Sequence, residues 1–206
     1  MLDIQNATDA EILEEVEKLQ YLFRMKKVIR YHHDRTEEID TESVAEHVYG
    51  MFIIAEYFLP HEDPKQLWNR QKIYKLMLYH DIDEIETGDT IGYLKTDAER
   101  VKGAEAARVA ITRMPLQMQS EVSALLQEYD ERRTPEARFA KAIDKMEPNF
   151  HLFCENGKKI HEHNKTTRDQ HSRIKDPYIV DFPAMHRFNK VMVETMEAQG
   201  HFTKEE

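Results

Sequence analysis

Apolar residues recur at three- and four-residue intervals along most of this chain. Over residues 8–30, Ile12, Val16, Leu19, Leu22 and Phe23 fall on one helical face, with Thr8 or Asp9 placed to cap its start. Residues 31–41 (YHHDRTEEIDT) are polar and aperiodic and read as a loop. A second helix is predicted from near Thr41 to Leu59, with Thr41–Val44 or Ser43–Glu46 as its capping pattern and Pro60 as its stop. After the turn HEDPKQ, the pattern predicts a third helix over about Trp68–Asp81, then a short helical turn and a loop over 82–95. A fourth helix covers 97–113, and Pro115 separates it from a fifth over about 116–130. Thr134 and Pro135 supply a cap and a first-turn proline for a helix carrying FAKAIDKMEPNFHLF. That helix is expected to run towards 163 with a bend near Pro148. Residues 164–182 read as a polar excursion with turns, and a last helix spans about 184–199. No stretch alternates with period two, so the expected fold class is all-α, a bundle of about seven or more helices with little or no sheet.

Composition agrees with that reading. A chain of 206 residues suits one helical domain, with 40% hydrophobic residues for a core and 33% charged residues for solvated faces. The single cysteine, Cys154, has no internal disulfide partner, which points to a reducing, cytoplasmic setting. The acidic start MLDIQNATDAEILEEVEKL lacks a basic-then-apolar signal pattern, and apolar runs such as MFIIA are too short to cross a bilayer. A net charge of −10 opposes broad binding to a nucleic-acid backbone. The same charge opposes an anionic substrate, unless a bound divalent metal and one or two Arg or Lys reverse the field locally.

Four residues stand out as metal ligands. His47 shares a helical face with Val44, Val48, Met51 and Phe58; His80 ends a helix in line with Ile73, Leu76 and Met77; Asp144 lies inward with Ala137, Ala140 and Ile143. Asp81 follows His80 directly. Burying a carboxylate without a partner costs several kcal/mol. With no Lys or Arg read at an inward position nearby, a metal is the expected counter-charge. Two imidazoles and two carboxylates suit Mn, Co, Fe, Ni, Zn or Mg, and a six-coordinate ion would keep places for a water and a substrate oxygen. Glu84 returns to the side of Asp81 within one turn, placed to orient or deprotonate that water. Asp89, after Gly88, reaches the site from a loop. A second pair, His33-Asp34, sits in a polar loop with no apolar helix leading into it and is disfavoured.

Three phrases carry a family resemblance: ESVAEH (42–47), LYHDIDEIETGD (78–89) and ARFAKAIDKME (137–147). Their order resembles the HD-domain superfamily of metal-dependent phosphohydrolases, in the branch of the 5'-deoxynucleotidases. The likeness covers about residues 15–155 of a single HD-type domain, with 156–206 as a helical extension. It implies one divalent metal per subunit, a homodimer, and removal of the 5'-phosphate from (deoxy)nucleoside monophosphates by a metal-activated water. Glu84 would serve the water and Asp89 would act near the metal and phosphate. Arg30 resembles the family's phosphate-contacting arginine on the preceding helix, although two extra loop residues separate it from His47. Lys95 and Glu105 fall in segments that line the pocket, without an assigned role. The alternatives are an HD-type hydrolase of guanosine polyphosphates, nucleoside triphosphates or cyclic nucleotides, and a non-catalytic interaction module. The single ligand set disfavours two-metal phosphodiesterases, and the full set with Glu84 argues against a non-catalytic module. His161, His163 and His171 read as solvated surface. Phe150, Leu152 and Phe153 read as core or interface and not as a base-stacking platform.

Overall fold

The computed structural model describes residues 3–31, 35–36, 39–92 and 95–204. The pair His33-Asp34 lies outside them. Helix α1 (Asp9–Leu22) opens on a capping box, in which Thr8 accepts from the Glu11 N–H and Glu11 accepts from the Thr8 N–H. The helix does not reach residue 30. A 3-10 turn (Phe23–Lys27) follows it, and the chain then extends. The Val28 carbonyl accepts from the Val44 N–H, and the Arg30 N–H donates to the Glu42 carbonyl, both at 2.9 Å. This pairing satisfies the backbone without a helix, and α1 has no buried residue to hold a longer one. Arg30 therefore sits on an extended segment tied to the start of the next helix, not on a helix.

Helix α2 (Val44–Glu62) starts at the Ser43–Glu46 capping box and runs through Pro60 instead of stopping there. Proline cannot donate to the carbonyl four residues back, which belongs to Glu56. Both residues are exposed, and buried Phe58 and Leu59 hold the last turn. Helix α3 (Arg70–Tyr79) is shorter than expected: Asn69 caps it, and His80 already ends it. A turn of backbone bonds leads into α4 (Glu84–Thr87), and Gly88, at φ +72°, takes the left-handed conformation that lets the chain leave the site. Then come α5 (Asp97–Arg113), α6 (Leu116–Glu131) and α7 (Pro135–His151).

The predicted continuation to residue 163 is two helices. The chain breaks at 152–154, and α8 (Glu155–His163) starts anew from Cys154. Gly157 packs so closely on that break that a Cβ would lie 2.0 Å from the Leu152 carbonyl oxygen. The polar excursion also holds helix, α9 (Arg168–Arg173) and α10 (Asp176–Ile179), before α11 (Pro183–Ala198). Among the described residues there are isolated bridges but no sheet.

Helix α7 lies at the centre and packs against α2, α3, α6, α10 and α11. Met51, Phe58, Ile73, Met77, Phe139, Ile143 and Met146 close this core completely. Burying such side chains stabilises the fold by about 1.5–3 kcal/mol each, enough to carry a helix that also buries Asp144 and Glu147.

His161 and His171 are buried, at 3% and 2% exposure, and only His163 is solvated as expected. The chain end folds back over α8 and α9, where the Thr203 N–H donates to the Thr166 carbonyl and Phe202 packs against both imidazoles at 5.1 Å. Leu152 is buried with Ile160 and Met196, while Phe150 and Phe153 stay partly exposed. No helix among the described residues is long and apolar enough to cross a membrane.

Candidate metal centre

The core brings His47 from α2, His80 and Asp81 from the end of α3, and Asp144 from α7 to one place. His47 Nε2 lies 3.4 Å and His80 Nε2 3.7 Å from Asp144 Oδ1, and His80 Nε2 lies 2.9 Å from Asp81 Oδ2. Ligand atoms of His47, His80 and Asp81 all fall within 4.8 Å of one another. Neither Nε2 atom has a hydrogen bond of acceptable geometry, although both are buried. The opposite ring nitrogens are engaged: His47 Nδ1 lies 2.5 Å from Glu147 Oε2, and His80 Nδ1 lies 2.8 Å from the Met77 carbonyl oxygen. A carbonyl only accepts, so His80 keeps a proton on Nδ1, and Nε2 is the nitrogen left to face a cation. Two orphaned imidazole nitrogens facing two carboxylates are a donor set that fits a divalent cation.

The electrostatics point the same way. Burial disfavours a charged His80, yet Asp81 and Asp144 outweigh it and hold the imidazole up at about 9. Burial would raise the Asp81 carboxyl, and the imidazole beside it instead holds it well below the carboxylate range. The carboxylates thus draw positive charge to the point where the Nε2 atoms meet.

Asp144 is not without lysines, contrary to the expectation from the helical pattern. Its Oδ2 is 3.0 Å from Lys141 Nζ and 3.1 Å from Lys145 Nζ, and accepts from the Tyr129 hydroxyl at 2.9 Å. Lys141 lies one turn before Asp144 on α7, and Lys145 follows it directly. Long stems let both ammonium groups bend towards the carboxylate from the helix flanks. These donors hold Oδ2 and leave Oδ1 to the imidazoles.

A second group of possible ligands is Glu42, His47 and Glu147. The Arg30 guanidinium pairs with both of its acids, with Nη1 2.5 Å from Glu42 Oε1 and 3.6 Å from Glu147 Oε2. Here the two acids are balanced by arginine, and Glu147 serves to hold His47. Glu147 and Glu42 were missed in the sequence. Glu147 returns to the side of Asp144 after three residues, a signal that was available.

Asp81, Glu84, Asp89, Arg30 and Lys95 line one cavity of about 730 Å³. Glu84 is 3% exposed, and its Oε2 has no hydrogen-bond partner among the described residues. Burial first, then the carboxylates of Asp81 and Asp89, push its carboxyl well above the usual range. Lys95 Nζ is 3.6 Å from Glu84 Oε1. Asp89 Oδ2 accepts from the Tyr31 N–H at 2.7 Å, and Oδ1 is 3.8 Å from Arg30 Nε, so Asp89 ties the extended segment to the cavity. Glu105 does not line the cavity and pairs with Arg108 at 2.8 Å on the surface.

The HD domain family matches residues 22–186. The chain belongs to that family. Two curated relatives share its sequence in part: the 5'-deoxynucleotidase hdd1 of Schizosaccharomyces pombe is 33% identical over 118 residues, 54% of this chain and 57% of that protein. The 5'-deoxynucleotidase HDDC2 of Xenopus laevis is 32% identical over 108 residues, 52% of this chain and 51% of that protein. The chain thus spans about half the length of the curated relatives it matches. Among solved structures, a predicted metal-dependent phosphohydrolase from Magnetospirillum magnetotacticum superposes with a TM-score of 0.78 at 24% identity, covering 95% of this chain and all (100%) of the other. An HD-domain phosphohydrolase from Listeria innocua gives 0.55 at 21% identity, over 88% and 84% of the two chains. At these identities the structural likeness establishes the fold alone.

Proposed function

We propose that this protein is a metal-dependent phosphohydrolase that removes the 5'-phosphate from (deoxy)nucleoside monophosphates. The observation that carries the reading is the pair of buried, unpartnered Nε2 atoms of His47 and His80, facing Asp144 and Asp81 at the wall of a cavity rich in cations. His47, His80, Asp81 and Asp144 would hold one divalent cation. Bound there, such an ion acts as a Lewis acid and lowers the pKa of a coordinated water.

The chain's own residues supply the rest. Glu84 faces the site with a buried carboxyl whose affinity for a proton is raised, and it would take the proton of the attacking water once the cation's charge favours its ionised form. Arg30 and Lys95, both lining the cavity, furnish positive charge for the phosphate in a protein of net charge −10. Asp89 acts by fixing the Arg30–Tyr31 backbone at the cavity rim. The nucleotide monophosphate is supported by the likeness to the two 5'-deoxynucleotidases.

Metal-stripped protein should be reloaded with Mn, Co, Ni, Zn or Mg and offered nucleoside mono-, di- and triphosphates and guanosine polyphosphates, with inorganic phosphate as the readout. Release from monophosphates alone is the expected result. Release from the triphosphates or guanosine polyphosphates instead would replace the substrate. No turnover of any nucleotide by folded, metal-loaded protein would overturn the hydrolase reading.

A further inference from the structure

The far wall of the cavity comes from the C-terminal segment, which the motifs of the metal centre do not reach. Lys175, just before α10, lines it and is 5% exposed. Its Nζ donates to Asn149 Oδ1 at 2.5 Å. Asn149 Nδ2 donates to Asn189 Oδ1 at 2.6 Å, and Asn189 Nδ2 donates to Asp176 Oδ1 at 2.8 Å. These bonds run in one direction, so both amides have a fixed orientation and the ammonium has a fixed position. The neighbouring acid, Asp176, is spent at the far end of this chain of bonds.

An ammonium has three donors, and among the described residues one is used. Lys95, Lys141 and Lys145, which line the same cavity, each have a carboxylate partner, on Glu84 or Asp144. Lys175 has none among the described residues. Burial, then like charge from Lys145 and Arg30, pushes the ammonium down to about 7, although the more distant carboxylates of Glu147 and Asp144 pull the other way. Arg30 adds a second unmet demand, since its Nε is buried without a hydrogen-bond partner. A buried ammonium with no directly paired carboxylate is costly, and a perturbed group of this kind at a cavity wall is a candidate for binding a ligand that supplies the charge. The imidazoles next to Lys175 do not compete for that ligand, because burial and Lys175 itself keep His161 and His171 uncharged.

We propose that Lys175 is an anion-binding residue that forms, with Arg30 and Lys145, a three-cation cradle for a phosphate group in this cavity. The three cations come from three separate elements: the extended segment before α2, helix α7 and the turn before α10. That the phosphate belongs to a nucleotide substrate rests on the phosphomonoesterase reading. The anion site itself does not. The phosphate is either the scissile group or a second phosphate on the same nucleotide.

The test uses full-length, metal-loaded protein and its Lys175→Met and Lys175→Gln variants, titrated with inorganic phosphate by calorimetry. Loss of one charged hydrogen bond should weaken phosphate binding about tenfold or more in both variants. The phosphate-free melting temperature should hold or rise, because an uncompensated buried charge has been removed. Should Lys175→Met not fold, Lys175→Gln, which keeps a donor for Asn149, decides. Phosphate affinity within twofold of wild type overturns the proposal, and a fallen melting temperature with unchanged affinity marks a purely structural lysine and does the same. In a second arm, KM is compared for a nucleoside 5'-monophosphate and a 3',5'-bisphosphate. A rise for both assigns Lys175 to the scissile phosphate, and a rise for the bisphosphate alone assigns it to the second. If the wild type turns over neither, the hydrolase reading fails while calorimetry still judges Lys175.

Discussion

Glu147 Oε2 sits 2.5 Å from His47 Nδ1, while Asp144, one turn earlier on the same helix, places Oδ1 3.4 Å from Nε2 of that ring. One helix thus grips the imidazole from both sides, and Gly50 makes this possible. A Cβ at Gly50 would lie 2.5 Å from Glu147 Oε1. An acid that orients a ligating imidazole is worth about 10–100-fold in metal affinity, so Glu147→Ala should weaken metal binding by that order. Gly50→Ala should weaken it too, although alanine is the better helix former by about 1 kcal/mol. Calorimetric titration of stripped protein with Mn checks both. Wild-type affinity in both variants would show that His47 needs no such support.

Asp81 and Glu84 stand one turn apart and should separate cleanly by assay. Asp81→Ala is expected to lose bound metal, measured as metal content after dialysis. Glu84→Gln should keep the metal and lose turnover by about 10²–10⁴-fold, the usual contribution of a positioned acid or base. Full activity in Glu84→Gln would remove it from proton transfer.

His161 and His171 should make the fold sensitive to mild acid. Burial is the main cause and Lys175 the next, and together they hold His161 down at about 3 and His171 well below its ordinary 6.5. The unfolded chain takes up these protons below about 6.5, and the folded chain does not. Stability from these groups is therefore full above pH 6.5 and falls as pH drops towards 3, by about 1.4 kcal/mol per pH unit for each imidazole. Urea unfolding of wild type and His171→Phe at pH 7.5 and 5 provides the comparison. The variant should lose less stability on acidification, and an equal loss would mean that His171 is not held neutral.

The parts legible in the chain are those whose cause is local. Thr96 with Glu99, and Thr134 with Pro135, mark the starts of α5 and α7 through hydrogen bonds spanning three residues. The inward placement of His47, His80 and Asp144 follows from apolar residues one turn away on the same helices. Pro60 misled because its effect depends on which way Glu56 faces, and that is settled by what α2 packs against. The end of α1 misled because the alternative partner of Val28 and Arg30 lies beyond a loop, at Glu42 and Val44.

The sequence by itself determined an all-helical chain with two imidazoles and two carboxylates on inward faces, because helical period and capping act within a turn or two. Tertiary structure alone decided what surrounds them. It set Lys141 and Lys145 on one oxygen of Asp144, closed Arg30 between Glu42 and Glu147, and buried His161 and His171 under the chain end. It also left Lys175 without a paired carboxylate among the described residues. Each of these depends on side chains from distant segments meeting in a space of low dielectric. There a charge must find its partner across the fold, and no local pattern in the chain records which partner that is.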